Sequence, residues 1–153
     1  MDVYSSSIKS IKLPFKDSCY DTMVVQQVNL PDSLSNFKKY GQLIGKVNEN
    51  SHYIAILYAI PADVQLPILR VFNKDGGEIG SLKLLLGDCC GENEACSGVS
   101  TLYITKDLQI ILKDSTRTFE RDKKNADKKY NIQLQKRKKE YMIDSTGKIL
   151  PLT

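Results

Sequence analysis

The sequence predicts an all-β domain with a minor helix: an antiparallel meander of about 8–10 strands forming a sandwich or an open barrel. Two observations carry that expectation. From Gly41 onward, short segments of strand length follow one another, many with alternating apolar and polar side chains, separated by turns rich in Asn, Asp, Gly and Pro. These segments also fall into two groups. Gln42–Val47, His52–Ile60, Pro67–Asn73 and Glu78–Leu86 form the first; Val99–Thr105, Leu108–Glu120, Tyr130–Ile143 and Lys148–Leu150 form the second. Each group ends in a turn before a short outer strand, through Asp75-Gly76-Gly77 and Asp144-Ser145-Thr146-Gly147. Propeller blades have this cadence, but two blades cannot close a propeller. Two facing sheets, or one curled sheet, would bury both apolar faces.

Taken in order, residues 1–40 form an irregular N-terminal segment and 41–150 the β core of a single domain spanning 1–153. Ile8–Leu13 reads as a short strand stopped by Pro14, and Thr22–Val28 as a further strand. Leu30–Lys39 reads as a short helix, with Pro31 and Asp32 near its start, Lys38 and Lys39 near its end, and Gly41 beyond. In His52–Ile60, Ile54, Ile56, Tyr58 and Ile60 line one face while Tyr53, Ala55, Leu57 and Ala59 line the other. Such a strand belongs at the centre of a sheet covered on both sides. Pro67 opens the next strand, where a missing N–H is tolerated. The run Asn73-Lys74-Asp75-Gly76-Gly77 is a hairpin signature, because Asn, Asp and Gly accept the positive φ of tight turns. In Tyr130–Ile143, Tyr130, Ile132 and Leu134 share one parity but Tyr141 and Ile143 the other, which predicts a bulge or break within Lys136–Glu140.

At 153 residues the chain is long enough to bury a core of its own. No apolar run approaches the roughly 20 residues of a membrane helix. The formal charge of +4 is uneven: Lys113–Lys148 holds 12 Lys/Arg against 6 Asp/Glu. Lys123, Lys124, Lys128 and Lys129 make one cluster, and Lys136, Arg137, Lys138 and Lys139 a second. These eight are the candidate anion-binding residues, suited to phosphate or an anionic surface. The plainer reading is a solvated face whose lysines guard an edge strand. Nucleic acid ranks second as a partner, since no aromatic side chain interrupts Lys136–Lys139 to stack on bases.

Four cysteines, Cys19, Cys89, Cys90 and Cys96, are disulfide candidates. Adjacent Cα atoms sit about 3.8 Å apart, too close for an unstrained Cys89–Cys90 bond. That leaves one bridge within the loop, from Cys89 or Cys90 to Cys96, and one from Cys19 to the remaining cysteine. Such bridges would place the chain in an oxidising, extracytoplasmic compartment. A zinc site is the weaker reading of the four, because their spacing lacks paired C-x2-C knuckles; free thiols are the remaining alternative. Asp88, Glu92 and Glu94 around the same loop would suit a hard cation, though acids in a Gly-rich loop usually serve solubility. No metal site and no cofactor is therefore expected. His52, the single histidine, sits in the turn Asn48-Glu49-Asn50-Ser51-His52 and reads as a solvent-exposed turn residue. No nucleotide-binding, metalloprotease or EF-hand pattern occurs, and no catalytic residue is assigned. Eight tyrosines, spread along the chain without any tryptophan, favour strand packing over one assembled aromatic patch.

The segment Tyr58-Ala59-Ile60-Pro61-Ala62-Asp63-Val64-Gln65-Leu66-Pro67-Ile68-Leu69 is followed by Lys74-Asp75-Gly76-Gly77, the cysteine loop, Asp114-Ser115-Thr116-Arg117-Thr118 and Tyr141–Ile149. Together these resemble an uncharacterised group of bacterial cell-envelope proteins, often lipoprotein-like, over roughly Gly41 to Leu150. The resemblance implies a periplasmic or cell-surface location, with a lipid anchor in the full-length protein, and supplies no catalytic residues. The resulting expectation is a non-enzymatic binding or structural module of the envelope, whose partner is another envelope protein or an anionic surface. The alternative is a nucleic-acid-binding module using the basic segment 123–139.

Overall fold

The computed structural model describes residues 7–19, 41–61, 65–87, 96–121 and 129–152. Nine strands form among them: β1 (Phe15–Ser18), β2 (Gln42–Glu49), β3 (Tyr53–Ile60), β4 (Leu66–Asn73), β5 (Glu78–Lys83), β6 (Cys96–Ile104), β7 (Gln109–Arg121), β8 (Lys129–Ile143) and β9 (Ile149–Leu152). They make two antiparallel sheets, a four-stranded one in the order β2-β3-β4-β5 and a five-stranded one in the order β1-β6-β7-β8-β9. The two groups of segments in the sequence are thus the two sheets, with β1 added beside β6. Neither sheet closes into a barrel. Ala55, Leu57, Leu69 and Val71 of the first sheet share one core with Leu102, Ile104, Ile110, Leu112 and Ile143 of the second, which makes the fold a sandwich.

The four-stranded sheet is buried on both faces along β3. Tyr53, Ala55, Leu57 and Ala59 face the common core, while Ile54, Ile56 and Tyr58 on the opposite face are equally buried. The register of β3 with β4 runs unbroken from Tyr53↔Asn73 to Ile60↔Leu66, so every pleat matches. On the other side of β3, the edge strand β2 carries two irregularities, at Leu43/Gly45 and Lys46/Asn48. Bulges of this kind twist an edge away from further pairing. Its outer edge is also covered locally, because the Lys46 amide donates to the Lys9 carbonyl (3.0 Å) and the Ile11 amide to the Lys46 carbonyl (2.7 Å).

Both sheets end in the same turn. In the first, Asn73 Oδ1 accepts from the amides of Asp75 (3.0 Å) and Gly77 (2.7 Å), and Gly76 takes φ +91°. In the second, Asp144 Oδ1 accepts from the Thr146 amide (2.8 Å), the Thr146 hydroxyl (2.8 Å) and the Lys148 amide (2.9 Å), and Gly147 again takes φ +91°. An Asn or Asp at the first position nucleates the turn, and glycine three residues on supplies the left-handed backbone. Gly147 answers a second constraint: a Cβ there would lie 2.9 Å from the Tyr53 ring. This hairpin therefore locks directly onto the first sheet.

Two expectations need correction. Ile8–Leu13 is not a strand stopped by Pro14: only Ser10 bridges, parallel to Lys46, and the strand begins after the proline, at Phe15. Proline has no N–H to give a ladder, so it sits more easily before a strand than inside one. The bulge in β8 is not within Lys136–Glu140, where the register with β7 is continuous from Gln133↔Thr118 to Met142↔Gln109. It lies between Tyr130 and Gln133, where Asn131 takes φ +52°, because Asn tolerates that conformation and the lysine run does not require it. Ile132 and Leu134 consequently point outward and are exposed. The strand expected over Thr22–Val28 and the helix over Leu30–Lys39 lie outside the described residues, as do Cys89, Cys90, Asp88, Glu92, Glu94, Lys123, Lys124 and Lys128. Among the described residues no helix is long and apolar enough to cross a membrane.

Candidate functional site

The side chains of β6, β7 and β8 sort by parity into two faces. Ser100, Leu102 and Ile104 on β6 and Ile110, Leu112 and Asp114 on β7 are buried against the core. The intervening residues form the outer face, and the registers set them in rows across the sheet. One row is Thr101↔Lys113↔Lys138 and the next Val99↔Ser115↔Lys136. These six residues, with Asp114 and Arg137 between them, line a concavity of about 380 Å³. The row beyond, Ser97↔Arg117↔Leu134, continues the face toward the end of the β7–β8 hairpin.

Charge on this face is concentrated and weakly compensated. Lys113 and Lys138 are directly opposed, so their Cβ atoms stand about 5 Å apart, with Lys136 on the diagonal at about 7–8 Å. Lys138 Nζ meets Glu140 Oε1 at 2.9 Å, an exposed pair of the kind that contributes little. Neither Lys113 nor Lys136 has a carboxylate partner among the described residues. Beside these ammonium groups lie the hydroxyls of Thr101 and Ser115 and an uncovered apolar strip, with Val99 and Leu134 each 51% exposed.

The inner face at the same level holds a different kind of charge. Asp114 has a fully buried side chain, and its Oδ2 accepts from Arg137 Nε (3.2 Å), Arg137 Nη2 (3.0 Å) and the Thr116 hydroxyl (3.1 Å). Gly87 packs against this pair so closely that a Cβ would collide with the Asp114 carboxylate and the Arg137 guanidinium. The other carboxylate oxygen, Asp114 Oδ1, has no hydrogen-bond partner among the described residues. Two donors from one guanidinium hold a buried carboxylate in a fixed orientation.

The expected anion-binding residues are therefore divided. Lys136 and Lys138 line the outer concavity. Arg137 turns to the inner face and is held by Asp114, while Lys139 lies opposite Leu112 with the same parity and is exposed. Lys129 Nζ stacks 4.3 Å from the centroid of the Phe119 ring. The sequence reading missed Lys113, Thr101 and Ser115, which reach the site only by cross-strand register. The usable signal was the alternation of Lys113 with buried Leu112 and Asp114 in a strand that also carries Ser115. His52 is exposed, with its amide bonded to Asn50 Oδ1 at 2.8 Å, as expected of a turn residue.

β1 fixes the N-terminal segment beside this site by pairing with β6 from Phe15↔Ile104 to Ser18↔Thr101. Immediately after it, the Cys19 amide donates to the Ser100 carbonyl (2.8 Å), and Cys19 Sγ lies 3.8 Å from the Gly98 carbonyl oxygen. Cys96 opens β6 two residues before Gly98. Set against known proteins, the chain matches no family model, no curated protein and no solved structure.

Proposed function

We propose that this chain is a non-enzymatic binding module of the bacterial cell envelope, which presents the outer face of its five-stranded sheet to an anionic partner. One observation carries the reading: a concave, basic and exposed face, lined by Lys113, Lys136 and Lys138, on a sandwich whose other sheet is buried on both sides along β3. Buried surfaces stabilise and exposed ones meet partners, so this is the surface available for recognition.

The cysteines support the extracytoplasmic part of the proposal. Cys19 Sγ lies 3.8 Å from the Gly98 carbonyl oxygen, and Cys96 stands two residues before Gly98 on the same strand. With Cys89 and Cys90 they are assigned to two bridges, one within the 89–96 loop and one reaching Cys19, as an oxidising compartment allows. The strand-and-turn resemblance of residues 41–150 to envelope proteins, read from the sequence, implies the same location.

Co-sedimentation tests the binding. Purified protein is expected to pellet with isolated bacterial envelopes at low salt, and the Lys113→Glu/Lys136→Glu variant to remain in solution. Equal pelleting of the two, or no pelleting of either, would overturn the reading. Thiol titration of denatured protein prepared without reductant tests the compartment: no reactive thiols are expected, and four would exclude it.

A further inference from the structure

We infer that the groove between Lys113, Lys136 and Lys138 is a binding site for a phosphoryl group, a ligand assignment that rests on the binding role proposed above. The inference starts from an arrangement that stability alone does not explain. Lys113 and Lys138 are paired across adjacent strands, and like charges placed directly opposite destabilise a sheet. Edge protection accounts for part of the lysine run, because β9 pairs only with Glu140–Ile143 and leaves the rest of β8 without a described neighbour on that side. It does not account for Lys113. That residue sits on β7, flanked by β6 and β8, and has no edge to protect.

The chemistry of the donors selects the ligand. Guanidinium grips carboxylate and phosphate alike through its two-pronged geometry, but Arg137 is already held by Asp114 and exposed Arg117 stands one row beyond the groove. What the groove offers is compact ammonium charge, from Lys113 and Lys136 without carboxylate partners among the described residues and from Lys138 shared with Glu140, together with the hydroxyls of Thr101 and Ser115. Several point charges and hydroxyl donors around one centre fit a tetrahedral, multiply charged oxyanion better than a planar, singly charged one. The volume of about 380 Å³ lies toward the low end for small-molecule sites and admits a phosphoryl group with part of the molecule bearing it. Exposed Val99, beside Lys136 and Ser115, gives that remaining part an apolar contact.

Titration calorimetry at low salt, with inorganic pyrophosphate as probe and acetate as the planar control, tests the assignment on the whole chain. Pyrophosphate is expected to bind, acetate not to, and Lys113→Gln and Lys136→Gln each to weaken pyrophosphate binding about tenfold. Lys148→Gln, in the distant β8–β9 turn, is expected to bind like the unaltered protein. A second arm measures flotation with phosphatidylcholine vesicles with and without phosphatidic acid. Binding that requires phosphatidic acid and is weakened by the same two substitutions identifies a lipid-borne phosphoryl group. Pyrophosphate binding with no vesicle binding identifies a soluble one. Acetate binding as strong as that of pyrophosphate, equal pyrophosphate binding by Lys113→Gln and Lys148→Gln, or no response to either phosphoryl probe would overturn the assignment. Should the protein still pellet with envelopes through Lys113 and Lys136 while ignoring both phosphoryl probes, the phosphoryl site falls and the broader binding role stands.

Discussion

The two sheets of this sandwich use alternation differently. Along β3 both parities are apolar, Tyr53-Ala55-Leu57-Ala59 on one face and Ile54-Ile56-Tyr58 on the other, and both are buried. Along β7 one parity is buried, with Ile110, Leu112 and Asp114, while Lys113 and Arg117 of the other are open to solvent. A strand covered on both sides has no free surface with which to recognise anything, so its residues answer to packing. A half-covered strand leaves every second residue available, and on the five-stranded sheet those positions gather lysines. The division leaves stability to one sheet and, in the function proposed above, recognition to one face of the other.

Substitution of the covered sheet should break the fold first. Leu57→Ala, at a site with no solvent exposure, is expected to cost about 3 kcal/mol in denaturant unfolding, within the range for deleting a buried leucine side chain. Leu134→Ala on the open face should change stability by no more than about 0.5 kcal/mol. Equal costs would erase the distinction between the sheets.

The next effect sharpens the contrast within the five-stranded sheet. Arg137→Ala strands the buried Asp114 carboxylate, whereas Lys136→Ala beside it removes only an exposed charge. Breaking a fully buried pair costs about 3–5 kcal/mol. Arg137 is 43% exposed, and solvent screening reduces the expected loss to about 2 kcal/mol. Thermal unfolding of both variants should separate them clearly, and a Lys136→Ala loss as large as that of Arg137→Ala would contradict the assignment of faces.

The twin turns differ in one titrating atom. Asp144 is held below its ordinary value of 3.8, chiefly by the Thr146 hydroxyl; desolvation opposes the shift, and the amides of Lys148, Thr146 and Gly147 add to it. As pH falls the unfolded chain takes up this proton before the folded one. The contribution is therefore complete above pH 3.8 and is lost as pH falls through the lower folded value. Asp144→Asn, which copies Asn73 in the sister turn, should fold at neutral pH and show a shallower loss of stability below about pH 4. A denaturant series across that range measures it, and an unchanged acid limb would refute the role of the carboxylate.

The smallest effect concerns the opposed lysines. Lys113→Gln should raise stability by a few tenths of a kcal/mol at low salt, by relieving repulsion from Lys138, and the gain should vanish as salt is added. A loss of stability instead would mean that Lys113 supports the sheet and is not held there at a cost.

Much of this architecture was legible in order along the chain. The grouping of segments into two sheets, the double-faced burial of β3, and the turns at Asn73–Gly77 and Asp144–Lys148 all follow from local alternation and turn chemistry. The bulge was legible only as a mismatch of parity between Tyr130 and Tyr141. Its position depended on which residue accepts a positive φ, and Asn131 does so more readily than a lysine. The site was half visible. Lys136 and Lys138 stood out in a basic run, but Arg137 and Lys139, which alternate with them, belong to the opposite face, and Arg137 is tied to a carboxylate 23 residues earlier in the sequence. Lys113 did not stand out at all, because no local pattern announces which strand will lie beside it.

The amino-acid sequence by itself determined the strand content, the two meanders, the core positions of β3 and the turns, because each depends on neighbours within a few residues. Only the tertiary structure decided that β1 pairs with β6, that Asp114 captures Arg137, and that Lys113, Lys136 and Lys138 share one groove with Thr101 and Ser115. Strand order and register bring together residues far apart in the chain, and a period-2 alternation specifies which side a residue faces without specifying what it meets there.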